Sequence, residues 1–457
     1  MDKDLGIFGT TVTISFLQRK LRSVFHTRCS FGPNFSIQRI GCKQGFLSVT
    51  VRLQFDWQGA SSDQLPSSLV LKIPSTEILA KNIRYTTLEE LQEQRDRLEV
   101  ILKVGHASET AFYQLARGDA HLMGVSVPSC YYAQHFRRSG SQSGLLLFDD
   151  LCDVAAVKPL YNGLSPRALR AVFEQLANLH AYSLTNWTWH VGADKILRRF
   201  YVIRRPSPPL FRKACNDSFL CEPNIKSSDF REYRNDRCLY LGLISFFLLL
   251  NFRDLYFHFA SFGNGVSGPP RTRIPFRLSF QNGQLVHKEL KMMSVLTHGD
   301  LWTNNILWRK VPDCCDGETF DEIVAIIDWQ NAHAGNVAED FVRLLGSSVD
   351  PDVRRGQLDH LLLFYHQCLL AKLRERNIHQ IPFTVEQIKH AYERLFGQGL
   401  LIMLPSLSGH ADEGNGLLGE EHVHERQQRI LYRCRCLIED FLIYKHKLQE
   451  EQNASTV

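Results

Sequence analysis

The sequence lacks the patterns that mark several common classes of protein. Its twelve cysteines include no C-x-x-C pair and show no zinc-ligand spacing, and a chain of 457 residues needs no disulfide framework. It has no long block of Lys or Arg, and a net charge of +5 is small for this length. These absences argue against a structural zinc domain and against DNA or RNA binding. We therefore expect reduced thiols, a cytoplasmic protein and no nucleic-acid partner.

A segment long enough to span a membrane is also missing. The longest apolar run, "CLYLGLISFFLLLNF" at 238–252, falls short of the roughly 20 residues that a span needs. The first residues, "MDKDLGIFGTTVTISF", show no basic start followed by an apolar block and a small-residue cleavage site. The expectation is a buried helix at 238–252, no membrane span and no signal peptide.

Composition and periodicity predict a two-part α+β fold. Hydrophobic residues make up 44% and charged residues 22% of the chain, as in ordinary globular proteins, and its length suits two lobes. Segments 45–57 and 68–74 are rich in Val, Leu and Phe, which predicts strands. From Ser165, which precedes a proline as at a helix start, most of the chain shows helical spacing. We expect a β-rich N-terminal lobe at 1–148 and a mostly helical C-terminal lobe at 149–457.

The most informative motif is "LTHGDLWTNNILW", which is followed by "EIVAIIDWQ". Asp300 and Asn305 stand in a D-x-x-x-x-N spacing, and Asp328 ends an apolar strand. Phosphoryl transfer from ATP uses this order, because a loop aspartate accepts the proton of the substrate hydroxyl while an asparagine and a second aspartate hold Mg²⁺. Asp300 is thus the candidate catalytic base, with His298 bracing its loop. Asp340, which opens a later helix, is expected to organise the site from below.

A lysine and a glutamate upstream are candidates for a phosphate-anchoring pair. Lys72 lies mid-strand in "LVLKIP", where a cation must reach solvent or find an anion. Glu109 lies in "ASETAFYQLA", which predicts a further helix after a charged one, with Glu109 in its first turns. Each residue taken alone is more simply a solvated side chain. The order of strand lysine and helix glutamate favours an ion pair that contacts the α- and β-phosphates.

Two loops offer further places for a nucleotide. Gly41 and Gly45 precede a strand, and their turn would let backbone N–H groups approach the phosphates; an ordinary β-turn is the alternative. Asp149 and Asp150 end "GLLLFDDL", where the strand-rich part gives way to the helical part. A hinge there would offer backbone N–H and C=O groups to an adenine ring. The alternative is a plain loop in which Asp150 caps a turn.

Taken together, these segments resemble the CHK kinase-like family, and more narrowly its nematode branch, which is related to choline/ethanolamine kinases, ecdysteroid kinases and aminoglycoside phosphotransferases. The resemblance runs from about Ile37 to the C-terminus and rests on "LVLKIPS", "ETAFYQL", "HGDLWTNNILW", "IIDWQ" and "HAGNVAEDFVRL". It implies a protein-kinase-like bilobal fold that phosphorylates a hydroxyl of a small molecule, of sterol, amino-alcohol or glucoside type, with ATP and Mg²⁺.

The resemblance also implies a role for each site residue. The implied roles are catalytic base for Asp300, metal ligands for Asn305 and Asp328, phosphate anchors for Lys72 and Glu109, and adenine hinge for Asp149, Asp150 and Leu151.

One segment departs from the family, and two other functions compete with a small-molecule kinase. Residues 239–273 are Phe/Leu-rich and then Gly/Pro-rich, which fits a substrate-lobe insertion, a poorly ordered loop or translated intron. They leave the acceptor pocket undefined. A catalytically silent pseudokinase or scaffold usually loses one site residue, and none is lost here. A protein kinase fits poorly, because Gln330 replaces the D-F-G glycine and no A-P-E follows.

Overall fold

Seven of the twelve described strands lie in the first third of the chain, and helices make up most of the described last third. The computed structural model describes residues 6–41, 47–60, 62–75, 88–136, 144–186, 189, 286, 288–312, 319–412, 414 and 416–455. The strands are β1 (Ser30–Phe31), β2 (Ser36–Ile40), β3 (Ser48–Gln54), β4 (Trp57–Gln58), β5 (Ser68–Pro74), β6 (Cys130–Gln134), β7 (Leu145–Asp149), β8 (Ala155–Ala156), β9 (Val295–Thr297), β10 (Ile306–Lys310), β11 (Thr319–Ile326) and β12 (His333–Gly335). The α-helices are α1 (Ile14–Val24), α2 (Leu88–Met123), α3 (Pro166–Thr185), α4 (Val337–Ser348), α5 (Pro351–Arg374), α6 (Val385–His410) and α7 (Val423–Ser455).

A five-stranded antiparallel sheet forms the N-terminal part, in the order β2-β3-β5-β7-β6. The strand predicted at 68–74 is confirmed as β5. Successive side chains on a strand point to opposite faces. In β5, Leu69, Leu71 and Ile73 are buried on one face. Lys72 therefore points from the other face of the sheet.

A helix that the sequence motifs did not indicate covers the face opposite Lys72. Thr13 caps α1 by accepting a hydrogen bond from the Phe16 N–H at 3.1 Å. Leu17 and Leu21 of α1 are buried in the same hydrophobic cluster as Leu71. The sheet thus has α1 on one side and α2, which contacts Lys72, on the other.

The helix that carries Glu109 is one long element, so the prediction that Glu109 lies in the first turns of a separate helix was wrong. Helix α2 continues through Gly105 and places Glu109 beyond its midpoint. A glycine costs a helix interior only about 1 kcal/mol relative to alanine, which packing can offset. Gly105 lies close to Gln330, because a Cβ built on it would be 3.6 Å from the Gln330 Cβ.

The C-terminal part builds a second hydrophobic core from α3 to α7 and short strands. Helix α3 begins as predicted, since the Ser165 hydroxyl accepts a hydrogen bond from the Ala168 N–H at 3.0 Å ahead of Pro166. Two separate cores, one around the sheet and one among helices, confirm the α+β, protein-kinase-like bilobal architecture. The division into lobes at 148/149 stays a prediction.

The apolarity of the helices bears on the membrane prediction. No helix within the described ranges combines the length and apolarity that crossing a membrane requires. The predictions for Gly45, for the apolar run at 238–252 and for the atypical segment at 239–273 concern residues outside the described ranges.

Candidate active site

Pairing of β10 with β11 brings the two candidate metal ligands together. Ile306 pairs with Ile326, and the Ile327 N–H donates to the Asn305 carbonyl at 2.9 Å. Asn305, just before β10, and Asp328, just after β11, therefore lie at the same end of this strand pair.

The loop that carries Asp300 is held by its own neighbours. The Asn305 side-chain Nδ2 donates to the Asp300 carbonyl at 2.9 Å, and the Asp300 N–H donates to His298 Nδ1 at 3.2 Å. Because Nδ1 accepts, the proton of a neutral His298 ring lies on Nε2, which donates to the Ile327 carbonyl at 2.9 Å. Both ring nitrogens are therefore engaged by backbone groups, and the bracing role of His298 stays a prediction.

Asp340 holds the same loop from below. Its carboxylate accepts the N–H groups of His298 and Gly299 at 2.8 and 2.9 Å, and the side chain is fully buried in the first turn of α4. Burial raises the pKa of Asp340, and the donors around it oppose that rise. Gly299 has a φ of +77°, and a Cβ there would lie 2.3 Å from the Asn331 carbonyl oxygen, so the loop needs glycine.

Lys72 joins the two parts of the molecule electrostatically. Its Nζ donates to both Glu109 oxygens at 2.8 Å and to Asp328 Oδ1 at 2.6 Å. Burial by itself lowers the pKa of Lys72, but the charges of Asp328 and Glu109 outweigh it and raise the pKa above its ordinary value. Burial raises the pKa of Glu109, and the Lys72 ammonium opposes that shift. The expected ion pair is therefore present, with Asp328 as a second acceptor.

Asp328 has an unusual backbone conformation. Its φ of 65° and ψ of 57° place it in the left-handed region, which costs a non-glycine residue of order 1–3 kcal/mol. Aspartate and asparagine tolerate this region better than most side chains. The conformation turns the chain directly into the short helix Trp329–Asn331, so that Trp329 is buried while Asp328 reaches Lys72.

Two ring contacts, one stacked and one tilted, couple α2 to the catalytic loop. The Phe112 ring lies 3.7 Å from the Trp329 ring, centroid to centroid, and nearly parallel to it at 5°. The Trp329 ring in turn lies 4.5 Å from the His298 imidazole. Phe112 follows Glu109 by one helical turn, so the stack fixes the same face of α2 that presents Glu109 to Lys72.

The connection between the two parts follows β7. The Asp149 N–H donates to the Ser129 carbonyl at 3.1 Å, and the Asp149 carboxylate accepts the Ser129 N–H at 2.9 Å. The Asp150 carboxylate accepts the Cys152 N–H at 3.0 Å and pairs with Arg52 of β3. Burial by itself raises the pKa of Asp150, but these donors lower it below its ordinary value. Both carboxylates are thus engaged structurally, and a hinge here would act through backbone atoms.

Gly41 and Leu151 are the two remaining residues that the sequence predicts to contact the nucleotide. Gly41 has a φ of +65°, and a Cβ built on it would have no atom of the described residues within 4 Å. The Leu151 carbonyl accepts the Val154 and Ala155 N–H groups at 3.2 and 2.9 Å. The roles of Gly41 and Leu151 stay predictions.

The oxygen donors at the site suit Mg²⁺. Asn305 and Asp328 offer an amide and a carboxylate oxygen, which this ion prefers, and Mg²⁺ often keeps waters and substrate phosphates as its remaining ligands. A group of three or more His, Cys, Asp or Glu side chains arranged to hold a metal is absent from the described ranges. The two oxygen donors would suit a Mg²⁺ that takes its remaining ligands from water and substrate phosphates.

The sequence interpretation missed Arg343, which contacts the candidate base directly. The Arg343 Nε donates to Asp300 Oδ1 at 2.8 Å, and its guanidinium carbon lies 4.7 Å from the centre of the Trp302 ring. One signal was available, because Arg343 follows Asp340 by three residues and so lies on the same face of α4. Nothing in the motif itself, however, links an arginine 43 positions away to Asp300.

A buried histidine beside the site predicts a pH effect on stability. Burial by itself lowers the pKa of His333, but Glu339, whose carboxylate lies 2.9 Å from Nε2, raises it above its ordinary value of 6.5. The stabilisation by charged His333 is therefore complete below about pH 6.5 and is lost as the pH rises through the raised pKa.

We expect His333→Gln to lower the free energy of unfolding by about 1 kcal/mol more at about pH 5.5 than at about pH 9. Urea unfolding of both proteins at the two pH values measures the difference. A larger effect at the alkaline pH would contradict the assignment.

Comparisons with known proteins place the chain in a family and give its relatives. A family model named DUF1679 and described as "Uncharacterized oxidoreductase dhs-27" matches residues 1–190 and 273–449. A Caenorhabditis elegans protein of that same description is 25% identical over 368 residues, which is 79% of this chain and 38% of that protein. The "Uncharacterized kinase-like protein D1044.1" of C. elegans is 27% identical over 165 residues, or 35% of this chain and 40% of that protein. The chain thus spans about two fifths of the length of these relatives, judged by the matched parts.

A solved structure aligns with most of the chain at low identity. The choline kinase of Cryptosporidium parvum Iowa II is 11% identical, and the alignment covers 92% of this chain and 91% of that one with a TM-score of 0.42.

Proposed function

The chain belongs to the DUF1679 family, and from the geometry of its site we propose that it is an ATP-dependent phosphotransferase acting on a hydroxyl of a small molecule. The match to a kinase-like nematode protein supports the branch that the motifs indicated. The observation that carries the proposal is the convergence at Lys72, whose Nζ lies 2.8 Å from Glu109 and 2.6 Å from Asp328. Phosphoryl transfer in kinase-like folds uses such a lysine beside a metal-binding aspartate.

Each residue has a task in this reaction. Lys72, held by Glu109, would contact the phosphates of ATP, and Asn305 and Asp328 would hold Mg²⁺. The ion, when bound, supplies positive charge that neutralises the phosphates. Asp300 would accept the proton of the acceptor hydroxyl, which lies within hydrogen-bond reach in such sites. The sterol, amino-alcohol or glucoside classes are the acceptors to test first.

The word oxidoreductase in the name of the family and of one relative suggests a second candidate function. A dinucleotide-binding domain of the Rossmann type requires a parallel sheet with crossover helices. Every strand pair in the described ranges is antiparallel. The matched region also covers only 38% of that relative. Hydride transfer is therefore the weaker proposal for this chain, and a silent nucleotide-binding scaffold is weaker because all five site residues are present.

ADP release by the purified protein tests the proposal. The protein is incubated with ATP and Mg²⁺ against a panel of sterols, amino-alcohols and glucosides, with NADH and NADPH consumption followed in parallel. We expect at least one acceptor to stimulate ADP release and to gain a phosphate detectable by mass spectrometry. ATP binding without stimulation by any acceptor would favour the scaffold, and cofactor oxidation would favour the oxidoreductase.

A further inference from the structure

Arg343 and Asp300 form an ion pair inside the C-terminal part. The Arg343 Nε lies 2.8 Å from Asp300 Oδ1, and the two side chains are 7% and 19% exposed. A buried charge is costly unless it is paired, so an arginine is kept here only with a carboxylate beside it. Within the part of the chain that the structure describes, Asp300 is the acidic side chain in contact with Arg343.

The guanidinium group is itself held in place by two other elements. The Arg343 Cζ lies over the Trp302 ring of the catalytic loop, 4.7 Å from the ring centre. Its Nη2 approaches the Ser406 hydroxyl of α6 at 3.5 Å. An arginine whose guanidinium group rests on a ring loses little further freedom when it orients a carboxylate. Arg343 is therefore a preorganised partner for Asp300.

The last turn of α6 supports the same arrangement. His410 packs edge-on against Trp302 at 5.2 Å between ring centres, and its Nε2 lies 3.1 Å from the Asn304 Nδ2. Its Nδ1 lies 2.8 Å from the Ser406 carbonyl. An amide nitrogen can only donate, so His410 Nε2 accepts and Nδ1 carries the proton. The loop around Asp300 thus rests on α6 as well as on α4.

Helix α4 consequently holds Asp300 in two ways. Asp340 accepts the backbone N–H groups just before Asp300, and Arg343, one turn later on the same face, takes its side-chain Oδ1. Among the described residues no hydrogen bond reaches Asp300 Oδ2. One carboxylate oxygen is thus committed to the protein, and the other is left for a ligand.

We propose that Arg343 is a positioning residue that fixes the Asp300 carboxylate so that Oδ2 receives the proton of the acceptor hydroxyl. The inference rests on the proposed phosphotransferase function. In that reaction the acceptor O–H bond breaks with its proton passing to Oδ2, and the acceptor oxygen forms a bond to the γ-phosphorus. The bond from the γ-phosphorus to the oxygen that bridges it to the β-phosphorus breaks, and ADP leaves with that oxygen.

Arg343→Gln tests this role. A catalytic group displaced by about 1 Å can lose about 100-fold in rate, so we expect kcat to fall by about that factor while the Kd for MgATP changes less than about twofold. Arg343→Lys keeps the charge but not the planar guanidinium group. Its kcat is expected to lie between those of the wild-type protein and Arg343→Gln. Should Arg343→Gln fail to fold, the lysine variant carries the comparison.

A double substitution separates positioning from general loss of structure. If Arg343 acts through Asp300, Arg343→Gln lowers the residual rate of Asp300→Asn no further, because the carboxylate that it positions is already gone. An equal fold-loss in both backgrounds would overturn the proposal. The matched control is Arg354→Gln, since Arg354 is also a buried arginine, 2% exposed and paired with Asp440, but joins α5 to α7. It is expected to lower the melting temperature and leave kcat unchanged.

The outcomes for the two proposals are distinguishable. If the wild-type protein shows acceptor-dependent turnover and Arg343→Gln retains all of it, only the role of Arg343 is overturned. Absence of turnover by the wild-type protein with every acceptor would overturn both proposals.

Discussion

Replacing Asp300 with asparagine is expected to lower kcat by about 10²–10⁴-fold, the usual contribution of a general base. Asparagine has nearly the same shape and keeps an oxygen to accept from Arg343, whose Nε lies 2.8 Å from Asp300 Oδ1. It cannot take up the proton of an acceptor hydroxyl. The Asp300 N–H and carbonyl bond to the side chains of His298 and Asn305, and these backbone groups are unchanged by the substitution.

Steady-state kinetics with the best acceptor of the panel and the Kd for MgATP measure this effect. The Kd is expected to stay within about twofold, because the residues proposed to bind MgATP are Lys72, Asn305 and Asp328. Asp359→Asn is a matched control, since its carboxylate lies on α5 with a side chain 70% exposed and paired with Lys389. A kcat that Asp300→Asn leaves within threefold of wild type would contradict the assignment of the base.

Replacing Asp328 with asparagine is expected to lower kcat by about 10²–10³-fold. A bound metal ion contributes several kcal/mol of transition-state stabilisation, and each 1.36 kcal/mol changes the rate about tenfold. Asparagine suits the test because it tolerates the left-handed backbone, with a φ of 65°, that Asp328 adopts. Its amide oxygen can also still accept from Lys72. The substitution therefore removes charge while the fold is preserved.

Titration with Mg²⁺ identifies the step that Asp328 serves. In the wild-type protein the Kd for ATP is expected to fall as Mg²⁺ is added, and in Asp328→Asn that dependence should weaken at least tenfold. Glu439→Gln is a control on another acidic residue, since Glu439 pairs on the surface of α7 with Arg435 and Arg355. An unchanged Mg²⁺ dependence in Asp328→Asn would mean that the ion binds elsewhere.

Local patterns predicted the elements that depend on local physics. The alternation in 68–74 matched β5, and Ser165 before Pro166 marked the start of α3, because strand periodicity and helix caps act over a few residues. Prediction failed where packing outweighs local preference. Gly105 does not end α2, since the helix packs there against Gln330.

The candidate site shows the same division more sharply. Asp300, Asn305 and Asp328 could be selected from the sequence because their spacing along the chain reflects one loop and one strand pair. The ion pair of Lys72 with Glu109 could be proposed only from the order of strand and helix. That Lys72 also contacts Asp328 depends on the packing of the two parts, since the residues are 256 positions apart.

The sequence by itself determined which side chains are available for chemistry and where strong local signals mark a strand or the start of a helix. Only the tertiary structure decided that Arg343 holds one oxygen of Asp300 and that α1 covers the face of the sheet opposite Lys72. The physical reason is that local periodicity specifies which face of an element is apolar but not what packs against it. Contacts between distant elements arise when those faces are buried together, and the charges within them then find their partners.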